Sequence, residues 1–525
     1  MKTVFYQDGN PFLPFGSQVH NSNVQSPEGL EIFWRAQSAL GGNTAEIPIY
    51  WEYLEPEEGH FDFSQTDMVL ESARKHNSKL ILLWFGTWKN GKMEYTPPWV
   101  KENPDRFHRV ITHDGFRTGV LSSHCKANLN ADIAAFTALM NHIKERDDQG
   151  TVIAVQVENE PGINARSMRD HGPEGEAEYQ ADVDAGIMNL LAGLPEKSRV
   201  RQAWQEAGGA SSGNWRKVFG RHGSEFLSAW SLGTYINNVA KAGKAIHKLP
   251  MIVNVWNGDG GFNQPGMDYP SGGAAAKVLD LWKFVSPDID IIGPDIYLDS
   301  IKQNSAVCAA FCRTDNLLFV PESPRWKTNE WAIFNAIGNY DAVGYFMFGA
   351  EDILDEQGAP RPELLSTIDS FNMIKDALPL IVEHHGKIHT IIQEEGMAAQ
   401  LIDLDGYSCS AKFTPPEKLD FRHRYPSIRS GERGRGFLFQ TGKNEFYCVG
   451  DGFYLDLRKK QDHKGDMVDF ENFQKTSHVN FITVENGHFD SEKGWQADYR
   501  RNGDDVYYGI WMYADVHVTR FVMQD

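Results

Sequence analysis

The chain is poor in cysteine, in basic charge and in long apolar runs, and each shortage excludes something. Its 525 residues include only five cysteines, Cys125, Cys308, Cys312, Cys409 and Cys448, an odd number without CxxC spacing. That argues against a disulfide framework or a zinc site and fits free thiols in a reducing compartment. Lysine and arginine number 51 against 71 aspartates and glutamates, a formal charge of −20. Such a surface repels nucleic-acid phosphates and anionic membranes, so neither is an expected partner. No apolar run approaches the roughly 20 residues of a membrane span. Met1-Lys-Thr-Val-Phe-Tyr6 has no apolar signal core, so the expected location is the cytoplasm. What is abundant is aromatic: 12% of residues, including 14 tryptophans. Tryptophan fills cores and also stacks on sugar rings. A neutral small molecule or a carbohydrate suits this composition as partner, and a homo-oligomer is compatible with it. No cofactor and no metal are expected.

The most informative stretch is Thr151–Gly162, TVIAVQVENEPG. Its first seven residues are apolar and β-branched on both faces, which reads as a buried parallel strand. Glu158, Asn159 and Glu160 sit at its C-terminal end, and Pro161-Gly162 stops it. Charge at the end of a buried strand is costly unless paired or used. In parallel α/β folds that end builds the active site. A second run, Asn316-Leu-Leu-Phe-Val320, leads into Pro321-Glu322-Ser323-Pro324. Two carboxylates on separate strands facing one mouth are what glycoside hydrolysis requires.

Taken in order, eight strand-like runs alternate with helical segments. The runs are Phe12–Asn21, Asn43–Trp51, Lys79–Phe85, Thr151–Val157, Met251–Trp256, Ile289–Tyr297, Leu317–Glu322 and Ala342–Gly349. Helix signals separate them, such as Ser26-Pro27 before and Gly41-Gly42 after the first helix, and Ser64 as the cap of the second. This predicts an α/β fold, a (β/α)8 TIM barrel over residues 1–388. A long insertion after the fourth strand covers about 163–223. Beyond it, 389–525 carries short runs of β-formers between Gly, Asn and Asp, predicting a smaller all-β, sandwich-like C-terminal domain.

Two further stretches look like sites but read better as ordinary structure. Glu383-His384-His385 places its histidines side by side, where they do not share a helical face. Gly258-Asp-Gly-Gly261 is too degenerate for a phosphate loop.

The segments Gly42-Asn43-Thr44, Trp51, Glu55-Pro-Glu-Glu-Gly-His-Phe-Asp-Phe63 and Val155-Gln-Val-Glu-Asn-Glu160-Pro-Gly162 resemble the β-galactosidases of glycoside hydrolase families 35 and 42. Tyr269-Pro-Ser-Gly-Gly273 and Pro294-Asp-Ile-Tyr297 extend the likeness, which is nearest family 35. The resemblance implies a retaining exo-β-glycosidase releasing terminal galactose, with Glu160 as acid/base and Glu322 as nucleophile. It implies that Asn159 binds the sugar 2-hydroxyl and that Tyr297 orients Glu322. Trp51, Trp84, Trp88 and Trp256, at or near strand ends, are candidates for a sugar platform, and core packing explains each one equally well. His20 and Asn21 are further candidate sugar contacts. Glu158 reads as structural, because strand alternation points it away from Asn159. One departure stands out: where the family has a Glu-Trp pair after the third strand, this chain reads Gly86-Thr87-Trp88. That opens the same chemistry on glucosamine, glucose or fucose as an alternative, beside a dead carbohydrate-binding barrel.

Overall fold

The computed structural model describes residues 1–258, 263–413, 433–460, 479–501, 503–506, 509–512 and 517–524. Parts of the expected runs at 478–484 and 506–511, and of the Gly258–Gly261 stretch, lie outside the described residues.

Seven parallel strands form the catalytic-end scaffold: β1 Phe15–Gln18, β2 Thr44–Tyr50, β3 Lys79–Lys89, β4 Val152–Asn159, β5 Met251–Trp256, β6 Ile291–Asp295 and β7 Tyr345–Phe348. Their order in the sheet is β6-β5-β4-β3-β2-β1-β7. Helices follow the strands, among them α1 Pro27–Leu40, α2 Ser64–Lys75, α3 Lys126–Arg146 and α4 Gly223–Ile246. As expected, Ser26 caps α1, accepting from the Gly29 N–H, and Gly41 ends it in the left-handed region at φ 68°. At α2 the cap differs. Ser64 is already helical, and its N–H donates to the Asp62 carboxylate at 2.8 Å. The insertion after β4 folds into four short helices between Pro173 and Phe219 before α4.

The run expected as the seventh of eight strands does not form a regular ladder. Residues 318–323 nevertheless close the ring between β6 and β7. On one side the Val343 N–H donates to the Leu318 carbonyl and Phe346 N–H to the Val320 carbonyl. On the other, the Ile296 N–H donates to the Glu322 carbonyl at 2.9 Å. Pro294 and Pro321 each remove a donor, so a continuous ladder cannot form here. The approach is close: a Cβ on Gly293 would lie 2.8 Å from the Phe319 carbonyl oxygen. The irregular closure leaves Glu322 in the barrel mouth on a segment held from both flanks.

After β7 the pairing turns antiparallel. A six-stranded sheet and a four-stranded sheet lie face to face over residues 389–523. Ile391, Leu438, Phe446, Leu455 and Phe521 fill the space between them. The outer face of the larger sheet carries Phe437, Phe439 and Val449 into the core of the barrel. The Phe334 and Phe437 rings meet edge to face at 4.8 Å. Arg435 is fully buried at this junction. It donates to Ser370 Oγ and the Ser366 carbonyl on the helix Leu365–Asp376, and to the Asp451 carboxylate at 2.7 Å. Among the described residues no helix is long and apolar enough to cross a membrane.

A buried cation tied to both halves makes them one cooperative unit. Arg435→Met should destabilise the whole chain by about 3 kcal/mol, because it removes a buried cation that is hydrogen-bonded to the Asp451 carboxylate, Ser370 and the Ser366 carbonyl at once. Urea unfolding followed by fluorescence should show the two halves melting together in the wild type, with an earlier first transition in the variant.

Candidate active site

Glu160 and its neighbours stand at the C-terminal end of β4 on an unusual backbone. Glu158 and Glu160 both take left-handed conformations, φ 65° and 45°, flanking Asn159. Each costs on the order of 1 kcal/mol in a non-glycine residue and persists only where the surroundings enforce it. Here the Asn90 N–H binds the Asn159 carbonyl at 3.0 Å, and the Glu160 N–H donates to Asn254 Oδ1 at 2.8 Å. The double kink breaks strand alternation and sends three successive polar side chains to separate destinations.

Glu158 turns toward the helical layer. Its carboxylate accepts from the Trp88 N–H at 2.6 Å and lies against Asp132 of α3. Asp132 in turn accepts from Trp84 Nε1 and from Thr87 Oγ1, each at 2.8 Å. Burial and mutual repulsion push Glu158 well above the ordinary carboxylate range, and burial raises Asp132 too. Both carboxyls of the pair are therefore biased toward their neutral forms. The structural reading of Glu158 is the one this placement supports.

Asn159 and Glu160 turn into the mouth. There the carboxyl oxygens of Glu160, Asp295 and Glu322 lie within 4.8 Å of one another, all buried. Tyr297 Oη donates to Glu322 Oε2 at 2.8 Å. Asn254, on β5, is the hub. Its Nδ2 reaches Asp295 Oδ2 at 2.9 Å, Asn159 Oδ1 at 3.4 Å and Glu322 Oε1 at 3.5 Å, while its Oδ1 holds the Glu160 backbone. Burial, then repulsion from Glu322, raises Glu160 to about 7; the Lys89 ammonium and a hydrogen bond from Asp295 pull the other way. Asp295 is pushed far above its usual range by burial and by the charges of Glu322 and Glu160. Deeper in the barrel, Glu46 of β2 is fully buried and likewise raised, by burial and by Glu322. Three hard oxygen donors this close could hold a divalent cation. Asn254 and Tyr297 already engage two of them.

The other expected contacts divide. Tyr297 and Trp256 are each 37% exposed, and Trp256 lies beside Asp295 in the β5–β6 register. His20 is partly open and pairs with Asp352 at 3.1 Å, its ring edge-on to Phe348. Asn21 is half-buried; its carbonyl accepts from Tyr50 Oη, and its Oδ1 is buried without a partner. Trp51, Trp84 and Trp88 do not form a platform. All three are core residues: Trp51 is bound to Glu55 and packed on Trp84, Trp84 is bound to Asp132, and Trp88 is edge-on to Tyr235 at 4.8 Å. Residues at strand ends choose a face by the local bend, and here the bend turns these rings outward beneath the helices.

The sequence reading passed over Asn254, Asp295, Lys89 and Trp326. Asn254 and Asp295 carried a usable signal, a polar residue inside the apolar runs Met251–Trp256 and Ile289–Tyr297. Trp326 is 41% exposed and tilts over Tyr297 at 5.9 Å, supplying an open aromatic face at the mouth.

A parallel barrel with two buried carboxyls at its C-terminal mouth is the architecture on which glycoside hydrolysis is built. Comparison with known proteins sharpens the class. Residues 4–211 match the model of glycosyl hydrolases family 35. That match lies in the N-terminal, strand-bearing part of the chain and takes in β1 to β4. Residues 368–513 match a domain of unknown function, DUF5597. A β-galactosidase of Xanthomonas manihotis is 28% identical over 170 residues, 31% of this chain and 26% of that protein. The match thus spans about a quarter of the relative's length. Among solved structures, a β-amylase catalytic domain from Paenibacillus polymyxa aligns with TM-score 0.49 at 12% identity, over 69% of this chain and 98% of that one. A β-galactosidase from Bacillus circulans sp. alkalophilus aligns with TM-score 0.47 at 14% identity, over 72% and 58%. Likenesses this distant carry no weight for function.

The buried Glu158–Asp132 pair has a pH signature. An acid whose folded affinity for protons is raised loses stability as pH climbs above its unfolded value, because only the unfolded chain then releases the proton. Glu158→Gln removes that penalty. The melting temperature of the variant relative to wild type should rise between pH 5 and 9; a constant offset would show that Glu158 ionises freely in the native state.

Proposed function

We propose that this protein is a retaining exo-β-glycosidase that releases terminal β-linked galactose. The observation that carries the reading is that one carboxyl oxygen of Glu160 and one of Glu322 lie within 4.8 Å of each other, too close for a water-sized gap between the groups. Retaining enzymes hold their carboxyls about 5–5.5 Å apart; inverting ones need about 6.5–9.5 Å to admit a water between them.

The roles follow from environment. Glu160 is raised to about 7 and so carries a proton at neutral pH. It donates that proton to the glycosidic oxygen as the bond to the anomeric carbon breaks. Glu322, oriented by Tyr297 and Asn254, attacks the anomeric carbon and forms a glycosyl ester. Loss of a negative charge at Glu322 lowers the proton affinity of Glu160, which then takes a proton from water as that water cleaves the ester. The repulsion that keeps Glu160 protonated before the first step is thus relieved before the second. Asn159 lies beside both groups through Asn254, where it can bind the sugar 2-hydroxyl. Asp295, kept protonated, donates to Glu160 and stabilises its ionised form.

A second reading keeps the mechanism and changes the sugar. Thr87 is fully buried in the Asp132–Tyr235 network, so the end of β3 presents no carboxylate at that position to a sugar hydroxyl.

A panel of aryl β-glycosides decides between them. The galactoside should be the best substrate, with kcat/KM falling as pH rises through about 7, as Glu160 loses its proton. Glu160→Gln should slow aryl substrates with poor leaving groups roughly 100- to 10,000-fold. Glu322→Gln should abolish turnover. Faster turnover of another glycoside would select the second reading, and unchanged activity in Glu322→Gln would overturn both.

A further inference from the structure

A protein of formal charge −20 carries a basic cavity next to this mouth. The cavity encloses about 1090 Å3 and is walled by the loops that follow β3, β4 and β5. That is room for two or three sugar rings. Its permanently charged lining is Lys92 and Arg166 against one acid, Asp114; His113 and His171 also line it, and burial and the nearby Arg169 lower the proton affinity of His171. Nearby, Glu176 lies 4.0 Å from His171 and is engaged more closely by Arg169, at 2.7 Å. Asp170 faces the same loops but is spent on the Ile111 and Gly172 N–H groups and Ser122.

Two of the cations are presented rather than consumed. Among the described residues, neither Lys92 nor Arg166 has an acidic partner within 4.0 Å, and both are exposed. Arg166 is held at φ 56°, a left-handed backbone in a non-glycine residue. Its N–H is fixed to the Gly266 carbonyl at 2.8 Å. A backbone that accepts such a conformation to expose an unpaired guanidinium is an outlier of the kind that accompanies binding sites.

The cavity is also tied to the catalytic pair. Lys89 and Lys92 close one short hairpin through reciprocal backbone hydrogen bonds of 2.8 and 3.1 Å. One end of the hairpin holds the Asn159 carbonyl through Asn90. There the Lys89 ammonium lies over the Phe85 ring, only 6% exposed and, among the described residues, with no acidic partner within 4.0 Å, yet within electrostatic reach of Glu160. The other end puts Lys92 in the cavity. The chain leaving Glu160 continues through Asn164 to Arg166 along the cavity wall. The cavity therefore opens on the side of the acid/base, where a leaving group stands. Phe116, 66% exposed, and Met267, 55% exposed, offer apolar faces for sugar rings.

We propose that this cavity binds an acidic leaving group: a glycan carrying a carboxylate or a sulfate ester one or two sugars beyond the residue that is released. The inference rests on the glycosidase reading and adds its substrate class. A guanidinium pairs with either anion in a bidentate manner, and Lys92 and Lys89 supply the accompanying positive field.

The test measures binding on the folded, non-hydrolysing Glu322→Gln protein. Calorimetry would compare three galactose-terminated trisaccharides of equal length: neutral, uronic-acid-bearing and sulfated. The expected result is at least tenfold tighter binding of one acidic ligand than of the neutral one, with the advantage shrinking in 0.5 M NaCl as charges are screened. The stronger acidic ligand identifies the source of the charge. Adding Arg166→Ala and Lys92→Ala should bring the acidic-to-neutral affinity ratio to about one. Equal affinity for all three, or a ratio untouched by the two substitutions, would overturn the proposal. Hydrolysis of a neutral aryl galactoside by the wild type is read separately. Its absence would sink the glycosidase reading, while a charge preference in binding would still mark the cavity as an anion site.

Discussion

The constraint on which the site depends is that several carboxyls share one dry space. Glu160, Asp295 and Glu322 cannot all ionise within 4.8 Å of one another when all are buried. The molecule resolves the conflict by distributing protons unevenly. Tyr297 and Asn254 both donate to Glu322. Burial and the neighbouring carboxylates push Asp295 and Glu46 far up, and Glu160 is raised to about 7. Environments that push the proton affinities of neighbouring carboxyls apart are what an acid paired with a nucleophile requires.

The scaffold serves that distribution. Asn254 sits on the strand between Glu160 and Asp295 in the sheet and fixes both, so the geometry is set by side chains on rigid strands. The left-handed residues on either side of Asn159 allow one strand end to feed two buried networks. Glu158 supports the helical layer through Asp132, and Glu160 faces the mouth. The irregular closure at 318–323 places Glu322 where no ladder hydrogen bond dictates its side-chain direction, leaving Tyr297 to do so.

Much of this was legible in the sequence. Continuous apolar runs ending in polar residues gave the parallel strands, because strands buried on both faces cannot alternate. The carboxylates at two such ends, Glu160 and Glu322, are the ones that meet in the mouth. What was hidden depended on direction at strand ends. Trp88 lies past the register shift of β3 between Trp84 and Lys89, and Trp51 opens a short helix directly after β2; both rings are buried with Trp84, and no propensity announces a bulge. Asn254 and Asp295 were visible as polar interruptions, but their partnership required the β5–β6 register that pairs Asn254 with Gly293. Lys89 carried no signal of its own in the sequence; the hairpin folds it back over Phe85.

The central claim, that Glu322 becomes covalently bonded to the sugar while Glu160 assists, is tested most directly by trapping. A 2-deoxy-2-fluoro-β-galactoside with a good leaving group slows breakdown of the ester more than its formation. Intact-protein mass spectrometry should show one added fluorosugar, and peptide mapping should place it on the segment containing Glu322 at the barrel closure. Turnover of the parent galactoside with no trapped adduct and an inverted product, or an adduct on any other carboxylate, would contradict the account.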